Sequence, residues 1–241
     1  MKEIAPTQES FQEISAAAQR LLNGLAALDD TGVRAPSLLS GWTRGHVLSH
    51  LACQVPALER LLEWARTGVE TPQYADRQAR GAEIAAGAGR PAALLVADVR
   101  ETAAHFQRSI EELPGPAWKA TIKPFTGETC TPQRVLVIRL RELELHHIDL
   151  RLGYGFTDIP ETALRIIFDD VTGYFAQAPG VPTFTLRDDE GAVIARFGTG
   201  SGPTVSGTLA EALAWLSGRS DGAGLDTGAG TAQLPTLPKW I

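Results

Sequence analysis

The chain has 241 residues, of which 44% are hydrophobic and 21% charged, and its formal net charge is −6. This composition supplies enough apolar material for a packed core and excludes an intrinsically disordered chain. The acidic balance and the scattered arginines also argue against a nucleic-acid groove or a membrane-surface patch, since both need clustered basic residues. We therefore expect a folded protein with neither a nucleic-acid nor a membrane partner.

The apolar runs and the cysteines bear on where the protein resides. No apolar run reaches the roughly 18 residues of a spanning helix, and residues 1–6 lack the apolar region of a signal peptide. Cys53 and Cys130 belong to no CxxC motif or dense cysteine framework. We expect a reduced, cytoplasmic monomer in which both cysteines act as small apolar side chains rather than as a redox pair.

Apolar residues spaced three and four apart predict four helices in the first part of the chain. The predicted helices cover about 11–28, 43–62, 95–113 and 132–150. The hydroxyl of Thr43 can cap the second helix, and Pro56 should kink it. Residues 117–130 are predicted to be an extended excursion. Four such stripes with mostly short connections predict a four-helix bundle over residues 1–152.

Residues 153–241 have a different pattern and predict a small α+β domain. Two runs of β-forming residues flank Asp188-Asp189-Glu190-Gly191, which is a hairpin signal. The predicted elements are a helix over about 161–178, strands over 184–187, 192–197 and 204–207, and a final helix over 209–216.

Two predicted helices carry side chains that can bind a metal ion. His46 and His50 lie four residues apart on the second helix, and Glu142 and His146 lie four apart on the fourth. Residues at i and i+4 share a helical face, so two facing helices can pool three donors. Zinc accepts histidine nitrogen and carboxylate oxygen, and its catalytic sites keep three protein ligands and an open position. The alternative is a partly buried His50 satisfied by a neighbour, with Glu142 and His146 as an ordinary surface pair.

For four neighbouring side chains we expect roles other than direct metal binding. His46 lies in a first helical turn, where the positive helix end disfavours an imidazolium, so we expect a neutral residue at the entrance rather than a fourth ligand. A helix turns by about 100° per residue, which predicts that His147 is a surface or supporting group and that Glu144 is solvated. Asp149 lies one turn past His146 and either orients that ring or is solvated.

Several segments resemble the mycothiol-dependent maleylpyruvate isomerases, and the likeness covers nearly the whole chain. Residues 39–50 (LSGWTRGHVLSH) are similar to the entry of that family's second helix. Residues 139–150 (RLRELELHHIDL) resemble its Arg-Glu-x-x-x-His-x-x-Asp-Leu segment. The further matching segments are 63–72 (EWARTGVETP), 218–222 (GRSDG) and 238–241 (PKWI).

The resemblance implies a DinB-like four-helix metal-binding domain followed by a small domain similar to sterol-carrier proteins. It implies zinc on His50, Glu142 and His146. It also places Arg219 on an arginine of the active site, whereas the plainer interpretation is that Arg219 helps to end the last helix. His147 and Glu144 depart from the family pattern.

The resemblance also implies an activity. The family converts maleylpyruvate to fumarylpyruvate in gentisate breakdown, with mycothiol as cosubstrate. Zinc would favour the mycothiol thiolate, whose reversible addition to the double bond permits rotation. The resulting enolate needs a cationic donor, for which Arg219 or Arg77 is a candidate. The alternative for Arg77 is a solvated charge on an irregular stretch.

Three other functions remain open from the sequence. A mycothiol S-transferase would share the metal and the thiol but release a stable adduct. A hydrolase using zinc hydroxide would turn over without any thiol. An apolar-ligand carrier would need a cavity within residues 160–218 and no metal, and it leaves Glu142 and His146 without a role.

Overall fold

The structure, a computed structural model, describes residues 3–125, 127–228 and 233–240. Thr126 of the predicted excursion and Ile241 of the C-terminal motif lie outside these described residues. The chain forms two compact units, one of residues 3–155 and one of the residues from 156 onward. Within the described ranges, every helix is too short or too polar to cross a lipid bilayer.

The first unit is helical. The helices predicted from periodicity are present as α1, α3, α5 and α6, and α2 and α4 add to them. Their bounds are α1 (Gln8–Gly24), α2 (Asp30–Arg34), α3 (Arg44–Thr67), α4 (Arg77–Ala88), α5 (Ala92–Glu111) and α6 (Gln133–Asp149). α1 packs against α5 and α6, and α3 packs against α4, α5 and α6. α3 therefore contacts both α4 and α6.

Helix α3 begins as the sequence predicts. Thr43 is its N-cap, and the Thr43 hydroxyl accepts a hydrogen bond from the backbone N–H of His46 at 3.4 Å. This bond satisfies one of the free N–H groups of the first turn. Pro56 lies inside the helix, which runs without interruption to Thr67.

Helix α4 requires a close approach to α3 at two glycines. A Cβ atom on Gly45 would collide with the carbonyl oxygen of Ala88, and one on Gly87 would collide with the hydroxyl of Ser49. The Ser49 hydroxyl donates a hydrogen bond of 2.9 Å to the carbonyl of Ile84, in the last turns of α4. The absence of a side chain at Gly45 and Gly87 therefore lets α4 lie directly against the first turns of α3.

The stretch between α5 and α6 is mostly irregular. It contains a 3₁₀-helix over Gly115–Lys119 and an antiparallel bridge between Ile122 and Cys130. The bridge agrees with the extended excursion predicted for residues 117–130, but the 3₁₀-helix was not predicted.

The second unit contains a three-stranded sheet and two α-helices in its described residues. The elements are a 3₁₀-helix over Phe156–Asp158, α7 (Glu161–Phe175), β1 (Phe184–Arg187), β2 (Val193–Phe197), β3 (Thr204–Ser206) and α8 (Leu209–Leu216). β1 lies in the centre, antiparallel to β2 and parallel to β3. The predicted hairpin is thus confirmed, and α7 ends three residues before the predicted limit. Aromatic side chains form much of this core: Phe175, Phe184, Phe197 and Trp215.

Candidate metal centre

The three side chains predicted as metal ligands lie together. His50 comes from α3, and Glu142 and His146 come from α6. One carboxylate oxygen, Oε2 of Glu142, lies 2.8 Å from Nε2 of His50 and 3.2 Å from Nε2 of His146. One possible ligand atom from each residue lies within 4.8 Å of the other two. The arrangement brings two imidazole nitrogens and a carboxylate to one point.

The pairing of α3 with α6 places these groups. Glu142 and His146 share a face of α6 because they are four residues apart. One turn before Glu142, the buried Arg139 donates hydrogen bonds from Nη1 to the carbonyl of Leu51 and to Oε1 of Gln54, at 3.0 and 3.1 Å. These bonds join α6 to α3 next to His50. Periodicity alone did not indicate this role for Arg139, although its i−3 position relative to Glu142 is visible in the sequence.

The protonation states follow from burial and from the shared carboxylate. Burial lowers the pKa of His50 to about 4, so this ring is neutral at physiological pH. Burial acts to raise the pKa of Glu142, but hydrogen bonds from His146 and His50 outweigh it and hold this pKa well below its usual range. A neutral imidazole and an ionised carboxylate are the forms that bind metals.

A second carboxylate fixes the ring of His146. The Nδ1 atom of His146 lies 2.8 Å from Oδ2 of Asp149, whose side chain is fully buried. Burial lowers the pKa of His146, but its hydrogen bonds to Asp149 and Glu142 raise that pKa by more, so the net shift is upward. Of the two expectations for Asp149, the geometry agrees with the orienting one. With a proton held at Nδ1 by Asp149, His146 can give up the Nε2 proton that it shares with Glu142, and the Nε2 lone pair is then free to bind a metal ion.

The donor set fits a divalent transition-metal ion. Two histidine nitrogens and one carboxylate oxygen make up a known catalytic zinc set of three protein ligands. The Glu142 and His146 side chains remain 15% and 12% exposed, so solvent reaches the cluster. A fourth ligand from outside the protein can therefore approach it.

His46 does not join this cluster among the described residues. Its Nδ1 atom lies 2.8 Å from the hydroxyl of Thr43 and accepts the backbone N–H of that residue at 3.2 Å. Its ring packs against Trp42, with centroids 6.1 Å apart, and Trp42 also meets the ring of His50 edge-on at 5.8 Å. These contacts agree with the expectation of a residue beside the site rather than a fourth ligand.

The expectation that Glu144 is solvated was wrong, and of the two alternatives given for His147, a surface or a supporting group, the surface position is wrong. Glu144 is 1% exposed and His147 is 4% exposed. The Glu144 carboxylate accepts hydrogen bonds from Arg20 at 2.5 Å and from the hydroxyl of Tyr154 at 2.6 Å. The ring of His147 stacks on that of Tyr154, with centroids 3.8 Å apart. Neighbouring elements bury α6 on most of its circumference. A side chain that points away from Glu142 on this helix is therefore still buried rather than exposed to solvent.

Two arginines on α4 have different surroundings. Arg77 is the exposed first residue of α4, not part of an irregular stretch as expected. Arg80, one turn later, places Nη2 3.3 Å from Nδ1 of His50. Arg80 was not among the site residues predicted from the sequence, although it follows Arg77 at helical spacing.

Arg219 lies in the second unit, directly after α8. Its backbone N–H donates to the carbonyl of Ala214 at 2.9 Å, and its Nη1 donates to the carbonyl of Ser217 at 3.1 Å. The guanidinium lies 5.8 Å from the ring centroid of Trp240. These contacts agree with the helix-ending interpretation, and a role of Arg219 in catalysis stays a prediction.

Comparisons with known proteins give consistent results. Two solved structures are similar to this chain over 100% of both chains, each at 27% sequence identity. One is the crystal structure of the mycothiol-dependent maleylpyruvate isomerase, with a TM-score of 0.90, and the other is that of a histidine-to-alanine mutant of the enzyme, with a TM-score of 0.89. Curated protein sequences gave no match.

The family assignment rests on a match to a family model. Residues 14–151, which include all six helices of the first unit except the start of α1, match the model described as the mycothiol maleylpyruvate isomerase N-terminal domain. The match covers more than half of the chain and contains His50, Glu142 and His146. The chain therefore belongs to the mycothiol maleylpyruvate isomerase family.

Proposed function

We propose that this protein is a thiol-dependent cis–trans isomerase that converts maleylpyruvate to fumarylpyruvate with mycothiol as cosubstrate. The observation that carries the proposal is the His50–Glu142–His146 cluster in a chain that matches such an enzyme over its full length. In this proposal α1, α3, α5 and α6 are the helices of a DinB-like bundle. The protein would act in the cytoplasm, as a monomer, in gentisate breakdown.

The three clustered side chains would hold a zinc ion. His50 and His146 would each offer Nε2, and Glu142 would offer Oε2, the atoms that already converge. Bound zinc would lower the pKa of a thiol that reaches it, so that thiolate is available at neutral pH. Asp149 would keep the His146 proton at Nδ1, which directs the Nε2 lone pair inward.

The chain's own cysteines are poor candidates for the nucleophile. Burial raises the pKa of Cys53, and burial together with the Glu3 carboxylate raises the pKa of Cys130 to about 11. Both thiols are therefore protonated at neutral pH, and the thiolate is the reactive form. An external thiol is consistent with this chemistry.

The proposed reaction leaves the thiol unchanged overall. The thiolate sulfur adds to one alkene carbon, and the electron pair of the double bond moves onto the conjugated carbonyl as an enolate. The remaining carbon–carbon single bond rotates, the enolate collapses, and the carbon–sulfur bond breaks to release the trans isomer and the thiolate. The negative charge of the enolate calls for a cationic donor, and Arg219 remains our candidate for this role.

The test uses maleylpyruvate and the full chain at known zinc content, with and without mycothiol. We expect fumarylpyruvate to form only when mycothiol is present. A stable mycothiol adduct would instead identify an S-transferase, and thiol-independent turnover to other products would identify a hydrolase. Either result would contradict the isomerase proposal.

A further inference from the structure

Two arginines of α4 lie on a pair of aromatic rings beside the candidate metal centre. The guanidinium carbon of Arg80 lies 5.7 Å from the ring centroid of Tyr74, and that of Arg77 lies 5.0 Å from the centroid of Phe125. The two rings meet edge-to-face, with centroids 5.5 Å apart. Because Arg77 and Arg80 are three residues apart, they share one face of α4.

Hydrogen bonds of Gln73 hold the aromatic pair in place. The side-chain oxygen of Gln73, a buried residue, accepts a hydrogen bond of 2.8 Å from the backbone N–H of Phe125. The backbone carbonyl of the same glutamine accepts two hydrogen bonds from Arg60 of α3, at 2.6 and 3.0 Å. Since cation–π contacts orient a guanidinium over a ring, this support also orients Arg80.

Neither Arg77 nor Arg80 forms an ion pair within the described parts of the chain. Other arginines do pair with carboxylates there: Arg20, Arg66, Arg90, Arg141 and Arg165. The positive charge of Arg80 lies 3.3 Å from His50, one of the three proposed ligands. A cation at that position opposes a bound metal ion unless an anion joins them.

The hydrogen bonding of His50 also indicates that an anion can bind beside Arg80. A neutral imidazole has one N–H group, so a His50 ring that offers its Nε2 lone pair carries the proton on Nδ1. Guanidinium groups only donate, and Arg80 could then no longer bond to Nδ1. The Tyr74 side chain also interacts with Arg80, but it is neutral, and a carboxylate would match the released N–H groups of Arg80 in both geometry and charge.

We propose that Arg80, assisted by Arg77, binds a carboxylate group of a dicarboxylate substrate beside the metal centre. This inference rests on the proposed function, because it assigns substrate-binding residues to the same site. It also commits to an anionic substrate with a free carboxylate, since two guanidiniums on one helix face, neither of them in an ion pair within the described residues, can stabilise that group together.

The binding test avoids turnover. Succinate, a dicarboxylate without a double bond, is titrated by calorimetry into the zinc-loaded full chain, and the uncharged succinamide serves as the ligand control. The variants are Arg80→Gln, Arg77→Gln and Arg80→Lys. Arg66→Gln is the matched control because Arg66 forms its ion pair with Glu63 on the surface of α3.

We expect Arg80→Gln to weaken succinate binding by about 10-fold or more, Arg80→Lys to restore part of it, and Arg77→Gln to cause a smaller loss. Succinamide should not bind, and Arg66→Gln should behave as the unmodified protein. Equal succinate affinity for Arg80→Gln and the unmodified protein would overturn the inference. An absence of succinate binding to the unmodified protein would overturn it as well.

Zinc affinity gives a second readout that a purely structural arginine would not produce. Removal of a nearby positive charge should tighten zinc binding by about threefold in Arg80→Gln without substrate. Zinc binding weakened by about tenfold would mean that Arg80 supports the His50 ring, and it would overturn the inference. If succinate binding depends on Arg80 but the protein has no isomerase activity, the proposed function alone is contradicted. If the protein is an active isomerase and Arg80→Gln binds succinate as well as the unmodified protein does, this inference alone is contradicted.

Discussion

The His146 ring and the Asp149 carboxylate lie 2.8 Å apart, one turn from each other on α6. The carboxylate is fully buried, while the ring beside it is 12% exposed. A buried aspartate next to an imidazole fixes the ring orientation and the position of its proton. The pair therefore links the end of α6 to the candidate metal centre.

Removal of the Asp149 charge should weaken metal binding. Asp149→Asn keeps the shape of the side chain but removes the negative charge that favours a proton at Nδ1 of His146. We expect zinc affinity to fall by about 10-fold or more, measured by competition with a chromophoric chelator. Asp98→Asn, which removes a carboxylate paired with Arg90 in the same unit, is the control and should leave zinc affinity unchanged. Equal zinc affinity of Asp149→Asn and the unmodified protein would contradict the orienting role.

The two carboxylates around Arg20 should differ in their effect on stability. Arg20 contacts Glu144, which is 1% exposed, and Glu13, which is 22% exposed. Glu144→Gln leaves Arg20 and Tyr154 facing a neutral group in a buried position, so we expect a loss of about 2 kcal/mol in the free energy of unfolding. Glu13→Gln should cost less than about 1 kcal/mol. Urea denaturation followed by circular dichroism measures both, and equal losses would contradict the burial argument.

Two glycine-to-alanine substitutions in helices should change the stability of the protein in opposite directions. Alanine has the higher helix propensity, by about 1 kcal/mol. Gly81 of α4 has open space where a Cβ would lie, so Gly81→Ala should raise the thermal midpoint. A Cβ on Gly45 of α3 would collide with the backbone of Ala88, so Gly45→Ala should destabilise the protein by about 2 kcal/mol or more. A stabilising Gly45→Ala would show that α4 does not pack against α3 at this point.

Cys130 should react slowly with alkylating reagents below pH 11. Its pKa is raised to about 11 from an ordinary value near 9, so at pH 9 about 1% of the native thiol is thiolate, against about half in the unfolded chain. The native alkylation rate with iodoacetamide should rise about tenfold per pH unit from pH 8 to 10. Mass spectrometry resolves this site from Cys53, and the urea-unfolded chain is the control. A native rate that levels off near pH 9 would contradict the raised pKa.

The sequence predicted the elements with strong periodicity and missed those without it. The helices α1, α3, α5 and α6 have long apolar stripes, and α8 has a Thr208 cap before an apolar run. α4 contains Gly81 and Gly87 and buries Ile84 and Ala88, which is too weak a pattern to detect. The parallel pairing of β3 with β1 depends on contacts that local sequence does not encode.

The site was predictable as far as side-chain type and helical spacing allow. Helical spacing made His50 on one predicted helix, and Glu142 with His146 on another, candidate ligands, and the family resemblance implied the same three residues. Burial could not be read from the same spacing, because α6 has neighbours on most sides and therefore buries Glu144 and His147. Arg80 reaches His50 from a helix that periodicity did not reveal.

The most direct test of the central claim is a zinc titration of the metal-free protein, with mycothiol and maleylpyruvate present and fumarylpyruvate formation as the readout. Since His50, Glu142 and His146 would form one site, activity should rise in proportion to added zinc and level off at one equivalent. His50→Ala should bind no zinc at these concentrations and should remain inactive. Full isomerase activity in the metal-free protein, or in His50→Ala, would contradict the account.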